Sequence, residues 1–100
     1  MLLGSHKVYT GKCVDISGED MHEGEHDLGQ KSSKEECLAG CKENVFAHGC
    51  EYYEPKGKCT RHDSPKVDSG KGHSNYTCAI ISGNILVKIQ TKLHVRRVSN

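Results

Sequence analysis

The 100-residue chain has no Trp and one Phe, and its Leu, Ile, Val and Phe together number only 19. Those side chains ordinarily build a domain interior, so a thick apolar core is excluded. Nor is there an excess of either charge: 14 Lys and Arg stand against 13 Asp and Glu, a formal net charge of +1. That balance argues against the disorder that so few apolar residues would otherwise signal. It also excludes a nucleic-acid binder driven by global basicity. No run approaches the ~18 apolar residues of a membrane-spanning helix. Met1-Leu2-Leu3 is too short for the apolar region of a secretory signal. Residues 1–7 therefore read as a leader or remnant ahead of a single domain.

What the chain does have is sulfur. Six cysteines in so short a sequence favour three disulfides and an oxidising, secreted or extracellular setting. The sequon Asn75-Tyr76-Thr77 agrees, with Asn75 as a glycosylation acceptor of the secretory route. Charge divides the chain in two. Residues 1–78 hold every acidic residue, whereas 79–100 hold Lys88, Lys92, Arg96 and Arg97 with no acid. The cysteines end at Cys78, so a stapled domain over 8–81 is followed by a basic tail over 82–100.

Within the domain, Ser33 and Glu36 form a capping box that opens a helix over 33–44. Cys37, Leu38, Cys41 and Val45 then share one face of it. Short strands are expected over 7–14, 49–53 and 76–81. The turn Glu54-Pro55-Lys56-Gly57 between Tyr53 and Cys59 predicts a hairpin. Tyr52 and Tyr53 should face opposite ways on their strand, one inward and one outward. Gly18 to Lys31 is polar, acidic and punctuated by glycine, and reads as a long loop. In the tail, Val87, Ile89, Thr91, Leu93 and Val95 alternate with polar residues, which predicts an extra strand. Its apolar face needs cover from its own sheet, a partner or a second copy, so self-association through 85–96 is expected on that last route.

Cys37 and Cys41, four apart on the helix, project to the same side. Each should therefore reach a strand or loop beyond. Six cysteines allow 15 pairings, of which a nested set is the simplest. The order SSKEECLAGC…GCEYYEPKGKC…NYTC resembles the PAN/apple module over roughly residues 8–81. The resemblance implies the pairs Cys13–Cys78, Cys37–Cys59 and Cys41–Cys50, and an α+β fold with a small antiparallel sheet packed on one helix. It also implies a non-enzymatic recognition or adhesion module that binds protein or carbohydrate without a cofactor. No binding residue transfers from it, and the segments 18–31 and 63–74 and the basic tail are the first places to look.

Two chemical motifs compete with that reading. His22-Glu23-Gly24-Glu25-His26 matches HExxH, in which two histidines one helical turn apart hold Zn²⁺ and the glutamate serves as base. Gly24 weakens the helix that must set this spacing, and Glu25 and Asp27 place charge where such a helix buries apolar residues. A zinc hydrolase using His22, Glu23 and His26 is the less favoured alternative. The other is a small intracellular protein structured by zinc on Cys37, Cys41, Cys50 and Cys59, with His48 or His62 nearby. Its only close pair is C-x₃-C rather than the usual C-x₂-C, and it leaves Cys13 and Cys78 idle. In the tail, Lys88, Lys92, Arg96 and Arg97 are candidates for an anionic ligand.

Closing the three nested loops separately is worth about 4, 3 and 3 kcal/mol for the outer, middle and inner bridges. Nested loops are not independent, yet the total rivals the whole stability of a domain, typically ~5–15 kcal/mol. Excess reductant is therefore expected to unfold the domain. A thermal melt unaltered by reduction would contradict the disulfide frame.

Overall fold

A computed structural model of the chain describes residues 5–82. The strand expected over 85–96 and the basic residues Lys88, Lys92, Arg96 and Arg97 lie outside the described residues. Ser33 caps helix α1 (Lys34–Lys42), its Oγ accepting the Glu36 N–H at 3.1 Å. Glu36 Oε1 accepts in turn from the N–H of Ser32, 2.9 Å away, one residue earlier than the reciprocal bond of a strict capping box. The helix ends at Lys42 rather than Asn44, and Val45 falls beyond it.

Seven strands occur among the described residues: β1 (Ser5–Thr10), β2 (Lys12–Val14), β3 (Glu25–Gln30), β4 (Gly49–Tyr53), β5 (Lys58–His62), β6 (Ser69–Lys71) and β7 (Tyr76–Ser82). Five form an antiparallel sheet in the order β1-β7-β4-β5-β3, and β2 pairs with β6 as a separate ribbon. The expected hairpin joins β4 to β5, and its turn contains a short 3₁₀ segment ending at Gly57 with φ 64°. The protein is thus a small α+β domain, with one helix against an antiparallel sheet and three disulfides.

Several elements depart from the sequence reading. The expected loop over 18–31 contains β3, an edge strand that pairs with β5. Of its residues only Leu28 is partly buried, so no apolar alternation marks it; its backbone bonds to β5 hold it in place. The segment 63–74 likewise contains β6. The strand expected over 7–14 is split at Gly11, whose φ is 127° and whose added Cβ would lie 2.5 Å from the Lys71 backbone. That break lets β1 stay in the large sheet while β2 turns away to meet β6. The sheet also reaches back into the expected leader, because Ser5, His6 and Lys7 pair with Ser82, Ile81 and Ile80.

The sheet has a thin core on each face. On one, α1 covers Cys50, Tyr52, Cys59, Ala79 and Ile81, with Cys37 and Cys41 pointing down from the helix. Bridges Cys37–Cys59 and Cys41–Cys50 sew this layer together, tying the helix to β5 and β4. On the other, Cys13, Met21, Val67 and Cys78 form a smaller cluster, and Cys13–Cys78 ties the ribbon to β7. The three bonds nest in chain order, as the resemblance implies. Tyr52 is buried and its hydroxyl donates to the Lys31 carbonyl at 3.0 Å, while Tyr53 is half-exposed on the opposite face.

Two glycine substitutions separate steric from conformational cost. Gly29 also has positive φ, 81°, but nothing lies within 4 Å of an added Cβ. Gly29→Ala is expected to cost about 1 kcal/mol, and Gly11→Ala, which adds a backbone clash, on the order of 3 kcal/mol. Denaturant midpoints measure the difference. Equal losses would show that the ribbon tolerates a side chain at Gly11.

Candidate binding cleft

Strand alternation generates the site. Cys50 and Tyr52 face the helix, so Glu51 and Tyr53 face the other way. Register then lines up two rows across the sheet: Tyr76, Tyr53 and Lys58, and beside them Cys78, Glu51 and Thr60. The β2–β6 ribbon covers only part of this face. Between the ribbon, the segment from Asp20 to Glu25 and the sheet lies a cleft of about 130 Å³. Glu51 is 9 % exposed at its base, and the exposed side chains of Asp20, His22 and Glu25 stand at its edge.

Each polar group on the wall has a definite setting. Lys12 Nζ lies 3.2 Å from Asp20 Oδ2 and 5.4 Å from the centre of the Tyr76 ring. Its hydrogen bond to Asp20 raises the Lys12 pKa above the ordinary lysine value, against an opposing effect of burial. Whatever this pair adds to stability is complete below the ordinary lysine pKa and is lost as pH rises through the raised one. Tyr53 stacks on Tyr76, with ring centres 4.5 Å apart and planes 27° from parallel. Glu51 Oε1 accepts the N–H of Cys13 at 2.8 Å, and His62 Nε2 lies 3.5 Å away. A mixed-charge wall with one aromatic pair suits a polar ligand that also has an apolar face.

The HExxH residues do not converge. Glu23 and Gly24 form a turn, with Gly24 at φ 73°, and β3 begins at Glu25, so the helix that the motif requires is not formed. His22 lines the cleft, Glu23 lies 3.8 Å from Lys66, and His26 Nε2 lies 3.2 Å from Asp63 Oδ2. Asp63 is itself gripped by Arg61 at 2.7 and 3.0 Å. The cysteines of the alternative zinc site do converge, all four sulfurs lying within 4.8 Å of one another, but as the two disulfides of the helix layer. His48 Nδ1 is instead engaged with the carbonyls of Phe46 and Asp63. Asn75 is exposed in the turn before β7, accessible for glycosylation.

Of the segments flagged in the sequence, 18–31 contributes Asp20, Met21, His22 and Glu25 to the cleft, whereas 63–74 contributes none of its lining. Lys12, Glu51, Lys58 and Tyr76 were not anticipated. Glu51 had a readable signal, since a carboxylate between Cys50 and Tyr52 in a short apolar strand has to face away from the helix. No helix among the described residues is long and apolar enough to cross a membrane. No protein-family model, curated protein or solved structure matches the chain.

Proposed function

We propose that the protein is a non-enzymatic extracellular recognition module that takes a carbohydrate in the cleft between the sheet and the β2–β6 ribbon. The observation that carries this reading is the Tyr53–Tyr76 pair standing beside Glu51 and Lys58. A sugar ring presents C–H faces that pack on aromatic side chains, and hydroxyls that both donate and accept. The tyrosine wall matches the first, and carboxylate acceptors with an ammonium donor match the second. A polypeptide ligand is the other class that the PAN/apple resemblance implies. The extracellular setting is supported by the three disulfides, which persist in oxidising compartments, and by the exposed sequon at Asn75. Function then resides in the side chains that line this cleft rather than in the scaffold, which many unrelated activities share.

The test is a glycan array probed with the full chain and with Tyr53→Ala. Retention of a glycan, with a loss of at least tenfold in Tyr53→Ala, about 1.4 kcal/mol, is the expected result. Tyr53 is half-exposed, so the variant should keep its melting temperature within a few degrees. A third arm lacks residues 83–100, and with them Lys88, Lys92, Arg96 and Arg97: unchanged binding places the ligand in the cleft, and lost binding assigns it to the tail. An array that retains nothing, or binding indifferent to Tyr53→Ala, would overturn the carbohydrate reading.

A further inference from the structure

Beneath the cleft lies a group that the recognition reading does not use. His62, on β5, is fully buried, and neither ring nitrogen has a hydrogen-bond partner. A buried polar atom left in that state costs roughly 1–3 kcal/mol. Glu51 Oε1 is 3.5 Å from Nε2, beyond the ~2.7–3.2 Å of an N–H···O bond. That separation has another meaning in metal chemistry. Zinc holds imidazole nitrogen at ~2.0–2.1 Å and carboxylate oxygen at ~2.0–2.2 Å, so two such ligands on one tetrahedral ion stand ~3.4 Å apart.

The surroundings fit such an ion. The Cys13 N–H fixes the Glu51 carboxylate from one side, as groups behind a metal ligand commonly do. Cys13 Sγ lies within 4.8 Å of the Glu51 and His62 ligand atoms, but its bond to Cys78 leaves it no thiolate to offer. Glu51 also lines the cleft, together with His22 and Glu25. An imidazole nitrogen and a carboxylate oxygen make a mixed donor pair suited to zinc among the divalent ions.

We propose that Glu51 and His62 are the inner half of a Zn²⁺ site at the base of the cleft, with the remaining coordination positions turned toward the cleft. Nε2 supplies its lone pair to the ion, which leaves the ring proton on Nδ1. Binding would relieve the orphaned Nε2 and bridge the Glu51 carboxylate and the His62 ring across the boundary between β4 and β5 at close to their present spacing. The site shares Glu51 with the cleft but does not depend on what the cleft binds, and either reading can fail without the other.

The experiment titrates Zn²⁺ into the oxidised, uniformly ¹⁵N-labelled full chain, followed by NMR at the histidine ring nitrogens and the backbone amides. The expected result is one equivalent bound with a shift of the His62 Nε2 resonance, moving together with the Cys13 amide that reports on Glu51. Glu51→Gln is expected to weaken that binding at least tenfold. Should Glu51→Gln fail to fold, the wild-type spectra decide alone. Shifts confined to the other six histidines, with His62 unmoved, or a folded Glu51→Gln that binds Zn²⁺ as tightly as wild type, would overturn the site.

Discussion

Cystine sulfur occupies the place where aliphatic side chains would ordinarily form the interior, and the rest of the structure depends on that substitution. Cys37, Cys41, Cys50 and Cys59 are each at most 4 % exposed, and among the described residues they share the buried helix-side core with Ala47, Tyr52, Ala79 and Ile81, with Leu28 and Leu38 partly buried against it. The Cys37 and Cys50 sulfurs, which belong to different bridges, approach to 3.3 Å. The two disulfides therefore pack on each other as well as cross-linking the chain. They act twice, filling volume in the folded state and restricting the unfolded one. A nine-residue helix and strands of three to seven residues have little else to hold them, since so short a helix is marginal without tertiary packing.

The same alternation that feeds the sulfur layer creates the cleft. On β4, every residue that turns toward the helix leaves its neighbour turned toward the ribbon. Cys50 and Tyr52 belong to the core, and Glu51 and Tyr53 to the cleft, with no freedom to move one set without the other. The ribbon is anchored by Cys13–Cys78, the small cluster around Met21 and Val67 and the Cys13 N–H bond to Glu51, and it leaves part of the sheet uncovered. Scaffold and site are thus two faces of one strand. The buried pair Glu51–His62 sits where they meet, two ionisable groups in a largely apolar and sulfur-lined interior.

How much of this was readable follows from where the signals were strong. The helix was legible because its cap and its two inward cysteines agree. Strands β4, β5 and β7 were legible from β-branched and aromatic residues and from the turn between the first two. β3 was not, because an edge strand in which only Leu28 is partly buried carries no apolar period, and its register shift between Asp27 and Gly29 interrupts any alternation. β2 and β6, three residues each, are too short to carry a pattern, and their pairing depends on the glycine break at Gly11. The HExxH string was a coincidence of letters: Gly24 takes a left-handed turn that sends His22 and His26 to different neighbours. Tyr53 was half-read, as the outward member of a tyrosine pair, but its stacking on Tyr76 needs the register of β4 on β7. His62 was read only as a possible companion of the cysteine zinc alternative; its burial beside Glu51 depends on the order and register of β4 and β5.

The central claim is that three nested disulfides stand in for an apolar core, and a disulfide map of the native protein tests it most directly. Proteolysis without reduction, followed by mass spectrometry and a thiol count, should recover Cys13 linked to Cys78, Cys37 to Cys59 and Cys41 to Cys50, with no free thiol. Unoxidised cysteines in the folded protein, or linkages in a crossing order, would contradict the account.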